Sequence, residues 1–310
     1  MFELFPELLP SRQGWLPVGE GHALHWELSG NSKGIPVVWL HGGPGSCASP
    51  LHRRFFDPQR FLIIQYDQRG CGKSRALEAL AHNQTQDLVA DLEKLRQFLG
   101  LETWSVVGGS WGGALALAYA QKHSAHIEHL LLRSPFLCSP AEIEAFMSHP
   151  PAACMTPWQA LHRHVPDTQA ETLLQFGYRV FCLERDVALQ ALLALSWARY
   201  ESAMNAYPES APVLNLQSGE SLISRYQVQC HYLFNQCFTT REVLLRPEGL
   251  KNIDLTLLHG EEDALCPVSN SQAIHALARD SKLIRLPHSG HELATPTMQQ
   301  ALLKAVASWS

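Results

Sequence analysis

A serine between glycines, three acids in one loop and a histidine beside a glycine are the residues of this sequence best suited to covalent hydrolysis. Gly108-Gly109-Ser110-Trp111-Gly112 fits the pattern G-x-S-x-G, in which a sharp strand-to-helix turn lifts the serine hydroxyl out of a sheet. Side chains at the flanking positions would collide with neighbouring backbone. The turn also sets Ser110 at a helix N-terminus, whose free N–H groups favour developing negative charge. A serine hydroxyl is a weak nucleophile and needs a base, which a carboxylate must orient. Downstream, Leu257-Leu258-His259-Gly260-Glu261-Glu262-Asp263 reads as a strand ending in three acids. Asp263 stands at the expected distance from the strand end, with Glu261 and Glu262 as solvated alternatives. The base is expected from Pro287-His288-Ser289-Gly290-His291-Glu292. His291 is preferred to His288, because Gly290 would let the loop approach the serine turn closely. His41-Gly42-Gly43-Pro44-Gly45 follows an apolar run, and the backbone amides of Gly43 and Trp111 are the expected oxyanion donors.

These groups need a rigid frame, and the sequence pattern predicts one. Pro36–Leu40, Phe61–Tyr66, Trp104–Val107 and His129–Leu132 read as strands. They alternate with helices over Gln86–Leu99, where leucines recur at three- and four-residue spacing, and Ala114–Gln121. From Pro140 to Thr240 helical segments and proline breaks replace the strands. The alternation returns with strands at Leu255–Leu258 and Lys282–Leu286 and helices at Ser269–Ala278 and Met298–Trp309. The predicted class is α/β, the α/β-hydrolase fold: a mainly parallel sheet with helices on both faces and an inserted helical cap. The expected division is a core over 1–136, a cap over 137–240 and the rest of the core, with the acid and histidine loops, over 241–310.

Composition narrows the classes further. The 310 residues carry 24 Lys plus Arg against 29 Asp plus Glu, with no basic cluster, which excludes a nucleic-acid surface. No apolar run reaches the roughly 20 residues of a membrane span, and the N-terminus lacks a signal-peptide pattern. The eight cysteines are therefore expected as reduced thiols in a cytoplasmic protein. His123, His126 and His129 run from a helix end into a strand and should diverge, so no metal and no cofactor are expected.

Four stretches together carry a resemblance. His41–Gly45, Asp67-Gln68-Arg69-Gly70-Cys71-Gly72-Lys73-Ser74, Gly108–Gly113 and Gly260–Pro267 are similar to the corresponding segments of the proline iminopeptidase family. The likeness runs from about Trp15 to the C-terminus and implies release of an N-terminal residue, typically proline, from small peptides. Ser196-Trp197-Ala198-Arg199-Tyr200-Glu201 resembles the family's W-x-x-W-E segment. The resemblance gives Glu201 the substrate's free amine and places Trp197 beside it. Gln229-Cys230-His231-Tyr232-Leu233-Phe234-Asn235 resembles E-x-H-Y-F-x-N, but Gln229 stands where the family has a second acid and Leu233 where it has an aromatic residue. Phe136 matches an aromatic residue of the proline pocket. The alternatives are an esterase, amidase or lactonase on the same scaffold, or a binding protein without catalysis. Oligomeric state is not encoded in any of these patterns.

Overall fold

The computed structural model describes residues 3–166, 171–208 and 219–309. Among the described residues nine strands form one sheet: β1 (Arg12–Gly19), β2 (His22–Gly30), β3 (Ile35–Leu40), β4 (Phe61–Tyr66), β5 (Arg75–Ala76), β6 (Trp104–Gly109), β7 (Ile127–Arg133), β8 (Asp254–Gly260) and β9 (Lys282–Leu286). Their order is β1-β2-β4-β3-β6-β7-β8-β9, with β5 paired to β2. From β4 to β9 every pairing is parallel. All six residues of β6 are buried, and β3, β4 and β8 are nearly so. Burial on both faces is why these strands read as continuous apolar runs without alternation.

The antiparallel β1–β2 hairpin at the edge of the sheet is an addition to the strands expected from sequence. Its inner strand buries His22, His25 and Glu27, a composition that conceals a strand. Glu27 is held by Arg53 and Lys73, so its charge is paired where it is buried.

Between β7 and β8 the described residues contain helices and no strand; the longest are Val187–Ala206 and Gly219–Phe234. This insertion shares its apolar interior with the sheet. Leu173, Phe176, Trp197 and Tyr226 belong to the same buried cluster as Val38, Val106 and Leu117. The opposite face of the sheet packs Val37, Trp39, Phe55 and Phe56 with Leu302, Leu303 and Val306 of helix Pro296–Ala307. Among the described residues no helix is long and apolar enough to cross a membrane.

Candidate active site

The glycines around Ser110 are set by contact. A Cβ on Gly108 would lie 2.3 Å from the Gly112 carbonyl oxygen, and one on Gly112 would lie 2.2 Å from that of Leu40. Ser110 itself has φ 55° and ψ −123°, a strained conformation of order 1–3 kcal/mol. The turn is held by four backbone bonds: Ser110 N–H to the Arg133 carbonyl (3.0 Å), and Gly113, Ala114 and Phe136 N–H to the Ser110 carbonyl (2.9, 3.3 and 3.2 Å). Trp111 begins helix Trp111–His123, so its N–H has no partner within that helix. Ser110 shares its cavity with the buried Cys266, whose thiol is pushed up in pKa by burial.

His291 and Asp263 are brought together by the loops after β9 and β8. His291 Nδ1 lies 2.7 Å from Asp263 Oδ2, and both residues are buried. The second carboxylate oxygen accepts the amides of Leu265 (2.9 Å) and Cys266 (2.8 Å). Burial alone would raise the Asp263 carboxyl. The charge and hydrogen bond of His291, the nearby His259 and the Cys266 amide outweigh it and hold the group at about 2. With Nδ1 turned to the acid, Nε2 is the nitrogen left for a hydroxyl. The alternatives fall outside: Glu261 pairs with Arg285, and Glu262 pairs with the fully exposed His288. Gly290 is required, though for a different neighbour than the serine turn. A Cβ there would lie 1.9 Å from the Tyr207 carbonyl oxygen, so the glycine seats the histidine loop against the inserted helices.

Ser110, His291, Gly43, Phe136, Glu201, Gln229 and Leu233 all line one cavity of about 340 Å³. Trp197 does not. It is fully buried against Phe181 and Tyr226, behind Glu201 on the same helix, which corrects its expected place beside the substrate. A tryptophan four residues before a site carboxylate shares its helix face, but here that face is interior by one turn. Tyr200 donates its hydroxyl to the Phe146 carbonyl and stacks on that ring, which itself lines the cavity.

Glu201 is already engaged. Its Oε2 accepts from Arg225 Nη2 (2.6 Å) and the Tyr226 hydroxyl (3.0 Å), and its Oε1 accepts from Gln229 Nε2 (2.8 Å). Arg225 was not singled out in the sequence; its position four residues before Gln229, on one helix face, is the signal that could have found it.

Two further residues support the machinery. Gln68 donates Nε2–H to the His41 carbonyl (2.9 Å) and accepts Trp111 Nε1–H (2.9 Å), so it ties the Gly43 loop to the serine turn. Its own N–H donates to His41 Nε2 (3.0 Å). The rest of the Asp67–Ser74 stretch is scaffold: Asp67 accepts the amides of Ala48 and Lys73 (2.8 Å each), and Arg69 chelates Asp91 (2.6 and 2.7 Å). Arg133 is buried and donates to the His291 carbonyl. Burial lowers its pKa while Asp263 and Glu292 oppose that.

The histidines expected to diverge do so only in part. His129 turns to Asp254 (3.0 Å), whereas His123, His126 and Glu93 bring ligand atoms within 4.8 Å of one another. Glu93 is, however, taken up by Arg96, Tyr119 and Gln97. An arginine on that carboxylate opposes a dication there.

Residues 35–294 match the alpha/beta hydrolase fold family. The chain is 35% identical to a proline iminopeptidase of Xylella fastidiosa, with both chains covered in full. It is 35% identical to one of Neisseria meningitidis, covering 96% of each, and 33% identical to a probable proline iminopeptidase of Leptolyngbya boryana, covering 98% of this chain and 96% of that one. Among solved structures, VinJ superposes with a TM-score of 0.70 at 19% identity, over 96% of this chain and 98% of that one. A proline iminopeptidase-related protein of Thermus thermophilus superposes at 0.62 and 21% identity, over 96% and 97%. At those identities the solved structures speak for the fold alone.

Proposed function

The chain belongs to the proline iminopeptidase family of the α/β-hydrolase fold, and from that footing we propose that it removes an N-terminal proline from small peptides through an acyl-enzyme. The observation that carries the reading is the shared cavity: Ser110, His291 and Glu201 all line it, and the buried Asp263 backs His291 from behind its wall.

In this mechanism His291 Nε2 takes the Ser110 proton as the hydroxyl attacks the carbonyl of the first residue. The Gly43 and Trp111 amides receive the oxyanion. His291 then returns the proton to the leaving amine, and a water repeats the sequence on the ester to free the residue and restore Ser110. Asp263 fixes the imidazole tautomer and stabilises the imidazolium. Glu201 and Gln229 receive the substrate nitrogen, with Phe136 and Leu233 against the ring.

The test compares a prolyl arylamide, its N-acetylated form and a p-nitrophenyl ester, with Ser110→Ala as control. The reading expects rapid Ser110-dependent release from the free prolyl arylamide and little from the acetylated one. Equal rates on the two amides would remove the exopeptidase reading, and full activity in Ser110→Ala would remove the nucleophile. A second reading, an esterase or amidase for uncharged acyl groups, is favoured by the arginine already seated on Glu201. Turnover of the ester alone would select it.

A further inference from the structure

We propose that Arg225 decides which acyl groups this site accepts: it neutralises Glu201, so the seat for the substrate nitrogen selects a donor hydrogen instead of a positive charge. The inference rests on the aminopeptidase reading and specifies its substrate range.

The charges at the seat cancel. Glu201 is 8% exposed, and its one negative charge is met by the Arg225 guanidinium at 2.6 Å. Gln229 adds none. Glu201 holds the Arg225 guanidinium firmly in its charged form, its attraction outweighing burial. A substrate ammonium placed against Glu201 loses its hydration to a carboxylate that is already ion-paired, which is costly in a buried site. The cavity's other carboxylates are Glu142, taken up by Asn270 and the amides of Leu137 and Ser139, and Glu292, which accepts the Ala294 amide; its other guanidinium is Arg133.

The hydrogen-bonding capacity left over is of one kind. A carboxylate offers about four lone-pair directions, and three donors already use Glu201. Because that carboxylate only accepts, the Gln229 amide must present nitrogen to it, which turns Oε1 the other way. Gln229 is 2% exposed, lines the cavity, and its Oε1 has no hydrogen-bond partner among the described residues. A buried orphan acceptor is costly, and a substrate donor recovers that cost. The matching ligands are acyl groups with an N–H or O–H at the α-position, whether charged or neutral. An acyl group with no donor leaves the acceptor unpaired.

Arg225 is also fixed in place. It stands four residues before Gln229 on helix Gly219–Phe234, and its guanidinium lies 5.6 Å from the Tyr226 ring centre. Its backbone closes on the Gly43 loop, where a Cβ on Gly45 would lie 2.2 Å from the Arg225 carbonyl oxygen.

Three five-membered rings separate charge from donor: prolyl (charged N–H), 5-oxoprolyl (neutral N–H) and cyclopentanecarbonyl (no donor), each as an arylamide and as a p-nitrophenyl ester. In the wild type we expect KM for prolyl and 5-oxoprolyl within about threefold, and cyclopentanecarbonyl weaker by about tenfold. Arg225→Met should lower KM for prolyl by about tenfold, leave the other two in place and change kcat little. Arg225→Lys, which keeps the charge, should behave as wild type, and Arg225→Gln serves if the Met variant does not fold. The proposal is overturned if the wild type prefers prolyl to 5-oxoprolyl by more than tenfold. It is equally overturned if removing the charge leaves prolyl KM unchanged. Turnover of the esters alone overturns the aminopeptidase reading instead, and the Arg225 comparison is then read on the ester series.

Discussion

At the scale of single residues, the side chains that do chemistry and those that hold them are separable. Gln68 touches the loop of one expected oxyanion donor and the indole of the residue supplying the other. Gln68→Leu should therefore lower kcat by about tenfold or more with KM nearly unchanged, since misplaced donors cost transition-state stabilisation. Steady-state kinetics on the preferred arylamide decides it, and a rise in KM alone would place Gln68 outside the chemistry. Asp263 gives a second prediction. Its folded value of about 2 lies below the ordinary 3.8, so it stabilises the fold by roughly 2 kcal/mol above pH 4. That contribution is lost as pH falls from about 4 to 2. Asp263→Asn should remove this component from urea-unfolding free energies measured across that range, along with nearly all activity.

At the scale of elements, glycines at contact points decide how the insertion meets the core. Gly45 has φ +91° and no room for a Cβ beneath helix Gly219–Phe234. Gly45→Ala should destabilise by about 1–3 kcal/mol and raise KM, because the helix it displaces carries Gln229 and Arg225. Thermal melts and kinetics on the same variant test both halves. Sequence alone revealed the parallel strands, whose apolar runs are long and bounded, and both loops of the Asp263–His291 pair. It did not reveal β2, because buried His22, His25 and Glu27 are polar residues made tolerable by Ala81, Asp67 and Arg53, partners far along the chain, nor β1, whose residues are mostly exposed. Nor did it place Trp197 correctly, since helical spacing gives the face of a residue but not the depth of what covers it. Arg225 escaped for a related reason: a lone arginine on a polar helix face looks solvated until its carboxylate is located.

For the whole molecule, the continuous apolar cluster through sheet and insertion implies one cooperative unit. Tryptophan fluorescence and far-ultraviolet circular dichroism should report the same thermal midpoint; two separate midpoints would show that the insertion melts independently. Acid should weaken this unit early. Burial lowers the pKa of His25, His41 and His259. Below about pH 6.5 the unfolded chain takes up protons that these folded imidazoles refuse, so stability falls as pH falls, by up to about 1.4 kcal/mol per pH unit for each. Urea midpoints at pH 7.5 and 5.5 measure the slope. The sheet order has one more consequence, which concerns synthesis. β8 and β9 join the sheet last, across an insertion that separates β8 from its partner β7. A chain emerging from the ribosome therefore presents Ser110 before residues 254–291 exist, which on the proposed mechanism is a nucleophile without its acid and base. On that mechanism hydrolysis starts only when those late segments dock, so a half-made chain poses no threat to the peptides around it.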